Sequence, residues 1–209
     1  THALFCNNIT NVTIWHGEII GCKISNNFTI NDGPNAGTGD TVKIIGNVLR
    51  GKLTYNSDDD LFYISNNFFN SINDLSPTAS RSCVLINNSH YNTSANNVFN
   101  NNTFLYYSGN TSLSAYGVKV IGSNQSNILV TNNIFEDLYT SSYGGTDYSF
   151  LSDPTNLATV KKPKASYNYS YGSCIWNGII PNTILGQASG PSNFNYDDYG
   201  RSVDPRIVN

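Results

Sequence analysis

Apolar residues along this chain come in short groups cut by polar corners, and one phrase recurs. It reads Ile24-Ser-Asn-Asn-Phe-Thr-Ile30, Ile64-Ser-Asn-Asn-Phe-Phe69, Thr93-Ser-Ala-Asn-Asn-Val-Phe99 and Val130-Thr-Asn-Asn-Ile-Phe135. The first Asn of each pair stands at 26, 66, 96 and 132, giving steps of 40, 30 and 36 residues. An irregular period of that size marks stacked repeat units with insertions between them. The apolar residues flanking each Asn-Asn read as short strand pieces. Asn tolerates left-handed backbone better than any other residue except Gly, so Asn-Asn makes a sharp corner. A second short strand precedes each phrase, at Val12–Trp15, Val42–Ile45, Val84–Ile86 and Val118–Ile121. Strand, turn, strand, corner, strand is one rung of a coil, and a single rung cannot bury its own apolar face. The four Asn-Asn pairs are expected to stack in one column, about 4.8 Å per rung.

Composition supports strands over helices. Asn, Ser and Thr number 33, 24 and 17 of 209 residues, whereas Ala, Lys, Glu, Gln and Met together number 19. The strong helix formers are thus scarce, while β-branched and aromatic residues are plentiful, with 14 Tyr. Leu, Ile, Val and Phe make up about a quarter of the chain, enough for a packed core. Eleven Lys and Arg against fourteen Asp and Glu exclude a broad basic footprint for nucleic acid. No apolar run approaches the ~18 residues of a membrane-spanning helix.

The phrases ISNNFF and VKVIGSNQSNILVTNNIF resemble repeats of right-handed parallel β-helix proteins of the pectate-lyase-like superfamily, over roughly residues 5–137. The segment SCIWNGIIP at 173–181 resembles a terminal rung. The resemblance implies an all-β, right-handed parallel β-helix of about four to five short rungs. A β-sandwich is the alternative, although its strands recur at closer intervals. The expected organisation is a body at 1–138, a Tyr/Ser/Gly-rich excursion at 139–172, and a terminal rung with a capping tail at 173–209.

Little in the chain points to catalysis. The superfamily's enzymes use acidic clusters, a Lys or Arg base, or a Gly-His-Gly segment. Here Asp58-Asp59-Asp60 is the only acidic run and reads as a turn. Lys43, Arg50 and Lys52 lie near it in sequence, with nothing that places them on one face. His2, His16 and His90 are isolated, Gly33–Gly39 lacks the ending of a phosphate loop, and Lys161-Lys162-Pro163-Lys164 reads as a solvated run. No catalytic residue, cofactor or metal ligand is expected, and the chain reads as non-enzymatic.

The compartment is read from three features. The chain starts at Thr1 and holds no Met, the expectation for a processed product whose signal peptide is gone. Asn-x-Ser/Thr sequons occur at Asn8, Asn11, Asn27, Asn87, Asn92, Asn101, Asn110, Asn124 and Asn168, where chance alone would give about six or seven. Cys6, Cys22, Cys83 and Cys174 show no metal-ligand spacing and allow three disulfide pairings. Cys6–Cys22 with Cys83–Cys174 is the favoured set, since the first closes a short loop worth roughly 3 kcal/mol. Tyr139, Tyr143, Tyr148, Tyr167, Tyr169 and Tyr171 form a cluster suited to a subunit interface or a glycan surface. These features together point to an extracellular, cell-surface, N-glycosylated structural protein that self-associates into a homopolymer. A carbohydrate-binding adhesin and a polysaccharide-degrading enzyme are the alternatives.

Overall fold

The computed structural model describes residues 11–14, 17–32, 41–57, 61–71, 81–88, 96–106, 115–122, 127–137, 148–154, 164–171, 175–177 and 183–184. Those residues form strands and tight corners and contain no helix, hence none long and apolar enough to cross a membrane.

The first turn of the coil is β1 (Asn11–Ile14), β2 (Gly17–Ile20) and β3 (Lys23–Ile24). The second is β4 (Phe28–Asp32), β5 (Thr41–Ile45) and β6 (Val48–Leu49), and the third β7 (Leu53–Ser57), β8 (Leu61–Ser65) and β9 (Phe68–Asn70). The fourth is β10 (Arg81–Asn88), β11 (Asn96–Asn100) and β12 (Thr103–Tyr106), and the fifth β13 (Ala115–Gly122), β14 (Asn127–Thr131) and β15 (Ile134–Asp137). The sixth is β16 (Tyr148–Pro154), β17 (Lys164–Ser166) and β18 (Tyr169–Tyr171); β19 (Ile175–Asn177) and β20 (Thr183–Ile184) follow. As far as β19 every third strand joins the same sheet, and β20 folds back onto β19, so three sheets run along the coil with orders β1-β4-β7-β10-β13-β16-β19-β20, β2-β5-β8-β11-β14-β17 and β3-β6-β9-β12-β15-β18. We call them the long, middle and short sheets. All pairings are parallel except β19 with β20. The fold is therefore all-β and β-helix-like, not a sandwich.

The described residues hold six turns, more than the four or five expected. The sixth comes from the stretch 139–172, which was expected to leave the body and instead adds a strand to each sheet. It needs few aliphatics to do so: Phe150 continues the buried column of Val118, and Asn168 caps a buried column of amides.

That amide column organises the coil. Between the middle and short sheets the corner has two residues at every turn: Gly21-Cys22, Gly46-Asn47, Asn66-Asn67, Asn101-Asn102, Asn132-Asn133 and Tyr167-Asn168. The first of each pair is left-handed, with φ from 54° to 66°. The second points inward and is buried. Asn67 shows the bonding scheme. Its Oδ1 accepts from the backbone N–H and the Nδ2 of Asn47, both at 2.9 Å. Its Nδ2 donates to the Ile44 carbonyl at 2.7 Å and to Asn102 Oδ1 at 3.0 Å, and its own N–H donates to that same Oδ1. Asn102 and Asn133 repeat the scheme, and Asn168 accepts at the far end. Cys22 opens the column with a backbone N–H to Asn47 Oδ1 at 2.8 Å.

The expected column of Asn-Asn pairs is thus half corrected. Pairs 66/67 and 132/133 belong to it. Asn26 and Asn27 lie on a different corner, before β4, and Asn96 and Asn97 lie within β11. Cys22, Asn47, Asn102 and Asn168 take the remaining places, because any residue that reaches a positive φ can precede the inward one.

Apolar columns fill the rest of the interior. On the short sheet Phe69, Phe104 and Phe135 stack face to face, at 5.0 Å and 4.8 Å between centroids. Phe62 and Phe99 pack from the middle sheet, and Phe150 meets Phe99 edge-on from the long sheet. One close approach holds the first two turns together. A Cβ on Gly51 would stand 2.6 Å from the backbone of Asn26 and Asn27.

Two substitutions test this account in urea unfolding. Asn102→Ala orphans the N–H and Nδ2 of Asn67 and the Ile64 carbonyl, and is expected to destabilise by about 3 kcal/mol or more. Asn102→Asp keeps the acceptor but turns a carboxylate oxygen toward acceptors, so it destabilises further at neutral pH and recovers on acidification. Gly51→Ala forces a backbone shift, with an expected loss of about 2 kcal/mol.

Candidate functional site

The corner that turns one residue inward turns its neighbours outward. After each column residue the next side chain stands on the outer face of the short sheet: Lys23, Val48, Phe68, Thr103, Ile134 and Tyr169, in continuous register. Val48, Phe68 and Tyr169 are large apolar side chains with 37%, 37% and 39% of their surface exposed. Tyr167 at the sixth corner is 51% exposed, and Ile20 at the first is also exposed. The result is an outer stripe with a pair of tyrosines at one end.

Tyr167 is the outlier. Its φ is 59°, while every other residue at this corner is Gly or Asn. Tyr there lacks the freedom of Gly and the short polar side chain of Asn, so the conformation costs about 1–2 kcal/mol. Of the six tyrosines expected to form a surface cluster, Tyr167 and Tyr169 are brought together and exposed. Tyr148 and Tyr171 lie on β16 and β18, and Tyr139 and Tyr143 lie outside the described residues.

The cysteines correct the disulfide expectation. Cys22 and Cys83 are both buried thiols here, so neither Cys6–Cys22 nor Cys83–Cys174 is formed. Cys22 is turned into the base of the amide column, with Sγ donating to the Ile20 carbonyl at 3.4 Å. Cys83 lies in the core, its Sγ 3.2 Å from Ser71 Oγ and 3.1 Å from the Leu105 carbonyl. Burial pushes the Cys83 thiol up to about 12, against the opposing pull of Ser71. Cys6 and Cys174 lie outside the described residues.

The sequons separate by position. Asn27 and Asn101 are exposed, Asn87 is half-buried, and Asn168 is fully buried. Asn11 lies on β1, and Asn8, Asn92, Asn110 and Asn124 lie outside the described residues.

The charged candidates do not converge. Lys43 pairs with Glu18 at 2.6 Å across neighbouring strands of the middle sheet, while Arg50 and Lys52 flank Gly51 on another corner. Asp58–Asp60 and His2, His16 and His90 fall outside the described residues. Among the described residues no group of three His, Cys, Asp or Glu is placed to hold a metal.

No family model, curated protein or solved structure matches this chain. The reading of its function rests on the chain itself.

Val48, Phe68 and Ile20 were missing from the sequence-derived candidates. The residue after the inward Asn faces out, so Asn66-Asn67 already pointed to Phe68, and reading Gly46-Asn47 as an equivalent of Asn-Asn would have revealed Val48; Ile20, which precedes the Gly21-Cys22 corner, carried no such signal.

The Cys83 environment yields a direct test. The thiol should resist alkylation in the folded protein and react on unfolding. The folded thiol stays protonated up to about 12 while the unfolded one ionises near 9.0. Its contribution is therefore intact below the lower value and lost as pH rises toward the upper one. Cys83→Ala should show a shallower alkaline loss of stability than the parent chain.

Proposed function

We propose that this chain is an extracellular, N-glycosylated structural surface protein that self-associates into a filament or appendage. The observation that carries the reading is Tyr167. A strained residue persists where the surroundings or a function hold it, and strain at an exposed position directs attention to contact. Tyr offers large, rigid, amphipathic contact area at low conformational cost. Tyr169 stands beside it, and Phe68 and Val48 extend the apolar surface along the coil.

The sheet edges support the same reading. Among the described residues the middle sheet ends on β2 and β17 and the short sheet on β3 and β18, whereas antiparallel β20 closes one end of the long sheet. Of these edges β18 carries no charge and is a ready template for another chain, whereas Glu18, Lys23 and Lys164 place a charge on β2, β3 and β17. Contacts through the first ~15 residues and the tyrosines of the sixth turn would bury well over ~1,000 Å² in a stable assembly. Glycans would then coat the lateral faces.

The adhesin reading draws on the same side chains. Phe68 and Tyr169 stand three turns apart in one column, about 14 Å, and aromatic faces at that separation could stack on sugars of a linear glycan.

Tyr167→Asn separates contact from folding. Asn is at home at this corner, so the variant should gain about 1 kcal/mol in stability. Sedimentation velocity and negative-stain microscopy should nevertheless show weakened assembly. Deleting Thr1–Asn11 should abolish assembly without unfolding the body. A parent chain that stays monomeric at high concentration would sink the filament reading, and glycan binding by that monomer would put the adhesin reading ahead.

A further inference from the structure

The sequons Asn101-Asn102-Thr103 and Asn168-Tyr169-Ser170 sit on the same corner of the coil, one residue out of step. Asn101 is the outward, left-handed residue of its corner, with φ 54°. Its side chain is exposed and makes no hydrogen bond among the described residues, while its backbone N–H donates to the Thr131 carbonyl at 3.1 Å. Asn168 is the inward residue of its corner and fully buried. Its Oδ1 accepts from the N–H and Nδ2 of Asn133 at 2.8 and 2.9 Å, and its Nδ2 donates to the Val130 carbonyl at 2.7 Å. The same three-residue motif therefore presents its amide nitrogen to solvent in one turn and to the core in another.

We infer that the coil's corner register selects the glycan acceptors: Asn101 and Asn27 carry N-glycans, and Asn168 and Asn87 do not. This rests on the glycoprotein part of the proposed function and specifies which sites fulfil it. In the transfer, Asn101 Nδ2 bonds to C1 of the first sugar of a lipid-diphosphate-linked oligosaccharide. The bond from C1 to the phosphate oxygen breaks, the lipid diphosphate leaves with the electron pair, and Nδ2 gives up one of its two protons.

The product keeps an amide oxygen and one N–H, which decides the remaining sites. Asn27 is exposed and uses only its Oδ1, which accepts from the Lys52 N–H at 2.8 Å, so a sugar on Nδ2 leaves that bond in place. Asn87 is half-buried, and its Nδ2 donates to Asn56 Oδ1 at 2.6 Å in a second amide row, Asn31-Asn56-Asn87, on the long sheet. A sugar there would displace that row. A sugar on Asn168 has no space at all, so a chain modified at Asn168 before folding cannot close its sixth turn.

Glycopeptide mass spectrometry of the folded protein purified from its natural source tests the inference. Glycan on Asn101 and Asn27, with Asn168 and Asn87 bare, is the expected result. Glycan on Asn168 or Asn87, or glycans confined to sequons other than Asn101 and Asn27, overturns the selection rule while leaving the glycoprotein reading standing. No glycan on any sequon overturns both. Asn101→Gly, which keeps the left-handed corner, should remove the mass of one glycan with the unfolding midpoint of the unglycosylated chain unchanged. Asn168→Gln should leave the mass of the folded protein unchanged apart from the substitution itself while lowering that midpoint.

Discussion

A column of buried amides is the interaction on which the rest of the coil depends. An Asn side chain has two donor hydrogens and an acceptor oxygen with two lone pairs. At Asn67, Asn102 and Asn133 every one of these is used: two bonds into the oxygen from the turn before, one hydrogen back to that turn and one forward to the next. A buried amide without partners would be costly, so this geometry removes the penalty and turns the polar group into a spacer. Bonds chained this way also polarise one another. The column enforces one register between turns, because a slip by one residue would exchange the inward amide for the outward left-handed residue.

The corner geometry follows from the column rather than the reverse. To aim an amide along the coil axis, the chain must turn sharply over two residues, and only a positive φ achieves that in so short a span. Gly, Asn and Tyr all occupy the turning position. The inward position is Asn in five turns and Cys in the first. The spacing between successive column residues runs 25, 20, 35, 31 and 35, so the other two connections absorb the variation in length. Insertions are tolerated there because lengthening a surface loop has a small entropic cost.

This division explains what could be read from the sequence. The recurrent apolar-Asn-Asn-apolar phrase revealed strands, a repeat and a stacked architecture, because those depend on local pattern. It misassigned pairs 26/27 and 96/97, because an Asn-Asn dipeptide on a solvent-facing corner or within a strand looks the same as one on the column. It passed over Gly46-Asn47 and Tyr167-Asn168, where a different residue supplies the positive φ. The sixth turn was hidden for a related reason: with Asn168 and Phe150 in the interior, the stretch needs few aliphatics and so reads as an excursion. Proximity in sequence also favoured joining Cys6 to Cys22, whereas the fold directs Cys22 inward to where an Asn would otherwise stand.

The same register governs the surface. Because the corner fixes which residue points in, it equally fixes the two flanking residues that point out, and the one that follows varies freely from turn to turn without disturbing the core. Lys23, Val48, Phe68, Thr103, Ile134 and Tyr169 share one structural role and no common chemistry. The coil is thereby a scaffold on which a row of outward positions can be rewritten singly, while the amide beside each stays constant. Tyr167 marks where that freedom reaches its limit, since it places an aromatic side chain on the one backbone position that disfavours it. The amide column makes such a residue tolerable: Asn168, held by Asn133 and Val130, fixes the corner independently of what precedes it.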